Sequence, residues 1–120
     1  MFGWLRRGLP RATQPNPWAV GVVDDVIFTT DGQGVERSLQ LADLRRVIVA
    51  TDDSGPWGAD VVFLLYGEGA KPAALFPLEA AGCQDFVGWL SRQPGYRDRE
   101  LASAMSSTNV ARFLVYEAGA

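Results

Sequence analysis

Hydrophobic and polar residues are arranged in short blocks over the first part of the chain, with turn residues between them. The blocks span residues 18–23, 26–30 and 34–40. Asp24-Asp25 separates the first two, and Asp31-Gly32 separates the next two. Asp31-Gly32 is a strong hairpin signal because both residues tolerate positive φ. The pattern predicts three antiparallel strands, and the third alternates so that one face is apolar apart from Arg37.

Three further blocks follow a single turn over residues 41–44. They span residues 45–51, 60–66 and 73–76. The unbroken apolar run in the second of them predicts a strand that is covered on both faces. Arg45 and Arg46 lie on opposite faces of the first, so we expect one to pair with a carboxylate of a neighbouring strand and the other to lie in solvent.

The hydrophobic period then changes from that of strands to that of helices. Cys83, Phe86, Val87 and Leu90 recur at i, i+3, i+4 and i+7, which predicts a helix over residues 79–93. Pro94-Gly95 ends it. A second, short helix is predicted over residues 98–105, with Asp98 as its N-cap and Leu101 and Met105 on its buried side. Residues 111–116 form a last strand.

Strands followed by helices are typical of the α+β class. We therefore expect an antiparallel, strongly bent sheet or small open barrel of about six strands. The helix over residues 79–93 caps it, followed by the short second helix and the final strand. Residues 1–17 are expected to form a flexible, basic and proline-rich arm, and residues 18–120 a single domain.

The amino-acid composition excludes several kinds of catalytic site. The 120 residues contain no histidine and one cysteine, which removes Ser-His-Asp and Cys-His mechanisms and an intramolecular disulfide. Cys83 lies on the apolar helix stripe and is expected to be a core residue, and Lys71 is the only lysine. No nucleophile or general base stands out, so we expect no enzyme activity, no cofactor and no metal.

Charge is unevenly distributed. The net charge is -3, but Arg6, Arg7 and Arg11 precede the first acidic residue, which leaves eight basic against fourteen acidic side chains in the rest. The chain is therefore not expected to bind nucleic acid, which requires clustered Lys and Arg. The arm, with Phe2 and Trp4 beside Arg6 and Arg7, is a candidate for weak contact with an anionic membrane.

The best candidate site is the predicted loop over residues 52–60. Its candidate binding residues are Asp52, Asp53, Ser54, Trp57 and Asp60. Binding residues gather on loops of rigid scaffolds, and Trp is a favoured interface anchor. The spacing lacks the ligands of a calcium hand loop. The alternative is a solvated connection whose polar side chains bond nearby backbone groups.

Four motifs carry a resemblance to known proteins. They are Thr51-Asp52-Asp53-Ser54-Gly55-Pro56-Trp57, Asp60-Val61, Pro94-Gly95-Tyr96 and Ala104-Met105-Ser106-Ser107-Thr108. Together they resemble a group of small uncharacterised bacterial proteins with an acidic Gly-Pro loop and a Pro-Gly-aromatic break between two helices. The order of elements is also similar to that of bacterial pleckstrin-homology-like domains. The resemblance implies a cytoplasmic bacterial protein and assigns no catalytic residue.

Three functions remain open from the sequence. The first is a non-enzymatic cytoplasmic domain that binds a protein or peptide, or a second copy of itself, through the acidic loop or an open sheet edge. The second is a peripheral module that binds anionic lipid through the arm. The third is a small hydrolase that uses the carboxylates of the loop.

Overall fold

Within the residues that the structure describes, the fold is α+β, with seven strands in two antiparallel sheets and two helices. The computed structural model describes residues 17–55, 58–107 and 110–119, and for 52–55 and 58–60 it describes the backbone alone. Both sheets are open, so the predicted single bent sheet or barrel is wrong. The meander divides after its third strand at a short 3-10 turn, Leu41–Asp43. The assignment of the arm as a separate unit stays a prediction.

Sheet A contains three strands in chain order. They are β1 (Ala19–Val23), β2 (Val26–Thr30) and β3 (Glu36–Gln40). The tight turn between β1 and β2 uses Asp24 and Asp25, which have φ of 52° and 61°. The turn between β2 and β3 differs from the prediction. The residue with a positive φ, of 85°, is Gly34 and not Asp31 or Gly32. The Asp31 carboxylate instead accepts hydrogen bonds from the backbone N–H groups of Gln33 and Val35.

Sheet B contains four strands in the order β6-β5-β4-β7. They are β4 (Arg46–Gly55), β5 (Gly58–Tyr66), β6 (Ala74–Pro77) and β7 (Ala111–Glu117). Strand β7 returns after the helices to pair with β4, so the last predicted strand is an edge of this sheet. Strands β4 and β5 form its centre and are longer than the sequence pattern predicts.

The two helices are α1 (Cys83–Leu90) and α2 (Asp98–Ser106). Helix α1 begins four residues later than predicted, because Ala81 pairs with β1 and Gly82 has a φ of 86°. The N-cap of α2 is Arg97, not Asp98. Met105 is 42% exposed, whereas Ala104 is fully buried, so Met105 was assigned to the wrong side of this helix.

One hydrophobic core lies between sheet A, the helices and one face of sheet B. Its centre is an aromatic cluster in which the rings of Phe63 and Phe76 stack at 5.2 Å between centroids. The ring of Phe86 from α1 meets Phe76 edge-on, also at 5.2 Å. Such pairs contribute about 0.5–1.5 kcal/mol beyond the burial of their area. The cluster therefore fixes α1 on the inner face of sheet B.

Candidate binding surface

The outer face of sheet B carries a second set of apolar side chains. Strand alternation separates Val47, Val49, Phe63 and Leu65, which belong to the core, from the residues between them. The outer set consists of Ile48 and Ala50 of β4, Val62 and Leu64 of β5, Leu75 of β6 and Leu114 of β7. None of the six belongs to the core cluster. Leu75 is 40% exposed, Leu64 is only 9% exposed, and the other four are partly buried, so this apolar face is partly exposed to contact.

Three polar side chains lie together on this outer face. Arg46 stands directly opposite Tyr66 in the β4–β5 register, and its guanidinium lies 4.4 Å from the centroid of the Tyr66 ring. Arg112 of β7 donates a hydrogen bond from Nη2 to the Tyr66 Oη at 3.3 Å. Tyr66 is only 6% exposed as a result. A cation over an aromatic face is attracted by the ring quadrupole, so Tyr66 holds both arginines in place.

The two arginines differ from the arginines that form ion pairs. Arg37, Arg45 and Arg97 pair with Asp31, Glu68 and Glu117 at 2.9–3.2 Å. Within the described ranges, no carboxylate lies at salt-bridge distance from Arg46 or Arg112. A guanidinium presents donors in a planar fork that matches a carboxylate. The surface can therefore bind a carboxylate beside apolar groups.

Only part of this arrangement of arginines was predicted from the sequence. One arginine of Arg45-Arg46 does pair with a carboxylate, but Arg45 contacts Glu68 in the connection after β5 and not a residue of a neighbouring strand. The other, Arg46, does not lie free in solvent but stacks on Tyr66. Arg112 was missed, because β7 joins β4 only through a pairing that is distant in sequence. The alternation of side chains along a strand places Arg46 and Tyr66 on the same face as Ile48 and Leu64. This alternation was the sequence signal from which the pair could have been predicted.

The predicted acidic loop is an extension of the β4–β5 hairpin. Asp52 stands opposite Asp60 and Gly55 opposite Gly58, with a register shift between the two pairs. The ladders with β6 and β7 reach only Val62 and Thr51, so the hairpin backbone projects past both neighbouring strands. The side chains of Asp52, Asp53, Ser54 and Asp60 lie outside the described part of the structure, as does the whole of Trp57. Their role in binding stays a prediction.

The arm candidates also lie outside the described residues. They are Phe2, Trp4, Arg6 and Arg7. Membrane contact through them stays a prediction. In the ranges that are described, no helix combines the length and apolar character needed to cross a bilayer.

The remaining reactive groups show no catalytic arrangement in the described residues. Cys83 is buried at 4% exposure, which confirms its place in the core. Burial, with a smaller effect of the Glu79 charge, raises the pKa of its thiol to about 11. A nucleophilic cysteine requires a lowered pKa. Among these same residues, no group of three or more Cys, Asp or Glu is placed to hold a metal ion.

Comparisons of this chain with protein-family models, with curated proteins and with solved structures find no match. The resemblances suggested by the acidic loop, the Pro-Gly-aromatic break and the order of elements therefore stay predictions.

Proposed function

We propose that this domain binds a protein segment that presents apolar side chains next to a carboxylate, and that the outer face of sheet B is the binding surface. The observation that carries the proposal is the contact of both Arg46 and Arg112 with Tyr66 within an apolar sheet face. Carboxylate recognition supplies orientation, and the apolar side chains supply most of the buried area. The activity is binding without chemical conversion, which the raised pKa of Cys83 supports.

A protein segment suits this surface better than an anionic bilayer. Asp52, Asp53 and Asp60 belong to the hairpin that projects from β4 and β5, the same strands that carry Arg46 and Tyr66. A broad anionic membrane against this face would approach these acidic residues, and like charges repel. A short segment can contact the arginines without extending over the hairpin.

A second copy of this chain is also disfavoured on the same face. Six apolar residues and two arginines are fewer than the roughly 20–30 residues a side of a stable interface. The surface is therefore suited to a transient complex with a short segment.

The test is a selection of random peptides displayed on phage against the full chain, followed by calorimetric titration of the enriched peptides. We expect enriched peptides to combine apolar residues with Asp or Glu. The Arg46→Ala/Arg112→Ala variant should bind them about tenfold more weakly or worse, since a hydrogen bond to a charged group contributes about 1.5–3 kcal/mol. Arg92→Ala is the matched control, because Arg92 lines a different groove between α1 and β1.

Two results would contradict the proposal. One is equal binding of the enriched peptides to the wild type and to the double variant, with both proteins folded by circular dichroism. The other is co-sedimentation with vesicles of phosphatidylcholine and phosphatidylglycerol that is lost in the double variant, which would assign the arginines to lipid. Retained binding by Arg92→Ala is required in either case.

A further inference from the structure

Sheet A has an apolar groove on its outer face, independent of the surface on sheet B. Gly21 stands directly opposite Phe28 in the β1–β2 register, so the aromatic ring has no side chain facing it across the ladder. The missing side chain opens a groove of about 340 Å³ along β1 and β2. A Cβ built on Gly21 meets no atom within 4 Å. The floor of the groove is therefore open space rather than a packed contact.

Large hydrophobic side chains form the walls of this groove, which we call the Phe28 groove. Phe28 is 43% exposed and Val23 is 61% exposed. Exposed apolar side chains around a concave surface are suited to contact with another apolar group. The groove is thus built to be covered by something apolar.

Acidic side chains lie at both ends of the Phe28 groove. Glu36 of β3 lines one end. Asp24 and Asp25 follow Val23 in the tight turn that joins β1 to β2, where the Asp25 carboxylate also accepts a hydrogen bond from Nε1 of Trp89 at 3.4 Å. The described residues that line the groove include no Lys or Arg. The occupant should therefore be apolar and positively charged.

We infer that the first residues of this chain occupy the Phe28 groove in cis. Residues 2–9 contain four large hydrophobic side chains, Phe2, Trp4, Leu5 and Leu9, together with Arg6 and Arg7. No acidic residue precedes Asp24. The segment has the apolar character of the groove and the charge opposite to that of its ends.

The length of the connection permits this contact. Residues 10–17 lie between the apolar segment and Trp18, and eight extended residues span at most about 26–29 Å. Strand β1 begins at Ala19, which itself lines the groove, and four steps along a strand from there to Val23 cover only about 13 Å. A tethered segment also meets its site at an effective concentration in the millimolar range. Weak contacts are therefore sufficient to keep the groove covered.

A second copy of the chain is a poorer occupant of the same groove. Three strands of five residues present a face on the order of 200 Å². A stable dimer buries about 800 Å² per partner. The groove is large enough for a few side chains of a tethered segment and too small to hold a dimer.

Paramagnetic relaxation in the full chain tests the inference. A nitroxide is attached at Ser38→Cys, because Ser38 pairs with Phe28 across the β2–β3 ladder, and buried Cys83 is checked with labelled wild type. We expect the backbone amide signals of residues 2–9 to be broadened. The broadening should be lost in Phe2→Ser/Trp4→Ser/Leu5→Ser and in Gly21→Leu, which fills the groove without a clash. A label at Ser103→Cys on α2 is the control and should not broaden them.

Three outcomes would overturn the inference. The first is no broadening from Ser38→Cys, or equal broadening from Ser103→Cys. The second is broadening that appears in a mixture of labelled unenriched chain and unlabelled ¹⁵N-enriched chain, which assigns the contact to a second copy. The third is a response of residues 2–9 only to vesicles of phosphatidylcholine and phosphatidylglycerol, which assigns the segment to a membrane.

Discussion

The carbonyl oxygen of Val20 occupies the space that a side chain at Gly82 would need. Gly82 has a φ of 86°, and it follows Ala81, whose carbonyl accepts a hydrogen bond from the Val20 N–H at 2.8 Å. The Ala81 N–H in turn donates to the Trp18 carbonyl at 3.0 Å. The segment before α1 thus adds to the edge of β1, and only a residue without a Cβ permits the approach.

Gly82→Ala should therefore destabilise the protein more than its backbone conformation alone explains. A left-handed conformation costs a non-glycine residue about 1–2 kcal/mol. Inserting a methyl group against a backbone carbonyl adds about 1–3 kcal/mol, the usual range for overpacking. Gly34→Ala is the matched control, since Gly34 has a φ of 85° with no atom near its Cβ position. Urea denaturation measures both, and equal losses of stability would show that Val20 and Gly82 are not in contact.

The sequence pattern predicts most strands because hairpins are local. Six of the seven described strands pair with a strand that is their neighbour in the chain, and the periods and turn residues of such hairpins can be identified from the sequence. The division into two sheets was not predictable from local patterns. Strand β7 takes the position beside β4 in sheet B, and it pairs with β4 across more than fifty residues. Arg112 reaches Tyr66 only through this pairing. The binding surface was missed for the same reason.

The helices show a different limit on what the sequence pattern can predict. A period of 3.6 identifies Cys83, Phe86 and Leu90 as the buried stripe of α1, which is confirmed. In α2 the same period fits two choices one residue apart. Ala104 faces the core and Met105 is exposed, although Met105 is the larger apolar side chain. Helix α2 lies so close to β4 and β7 that only a small residue fits between them. This contact joins elements that are distant in sequence, so the helical period does not show it.

Cys83 should react slowly with thiol reagents in the native protein. Burial raises the pKa of its thiol to about 11, so the reactive thiolate is scarce near neutral pH. We expect a thiol–disulfide reagent to modify Cys83 rapidly only after denaturation. Ser103→Cys, on the exposed side of α2, provides a reactive thiol in the same chain for comparison. Rapid modification of Cys83 in native wild type would place it outside the core.

The same burial makes stability depend on alkaline pH. The unfolded thiol ionises near its usual pKa of about 8.5, whereas the folded thiol keeps its proton to about 11. The unfolded state then binds fewer protons, so the free energy of unfolding falls as pH rises through this window. Cys83→Ala should show a shallower decline than the wild type. Tyr96 and Tyr116, whose pKa values burial also raises, contribute to the decline that remains.

Asp31 provides a pH dependence of the opposite sense. Its carboxylate accepts hydrogen bonds from Arg37 at 3.0 Å and from the backbone N–H of Val35, which lower the pKa of Asp31 below its usual value. A depressed folded pKa gives stability that is present above the unfolded pKa of about 3.9 and is lost as pH falls through the folded value. We call this loss of stability at low pH the acid limb. Arg37→Ala should flatten the acid limb, since the hydrogen bond from Arg37 is the largest cause of the lowered pKa of Asp31.

Asp31→Asn separates the charge from the turn geometry. Asparagine keeps an oxygen that accepts the backbone hydrogen bonds but does not ionise, so the acid limb should flatten while the β2–β3 turn is retained. Asp31→Ala should also lose the turn contacts and be less stable than Asp31→Asn at neutral pH. Urea midpoints from pH 2 to pH 7 measure all three variants. An unchanged acid limb in both Asp31→Asn and Arg37→Ala would contradict the ion pair, because removing either partner abolishes the only charged contact that Asp31 makes in the described part of the chain.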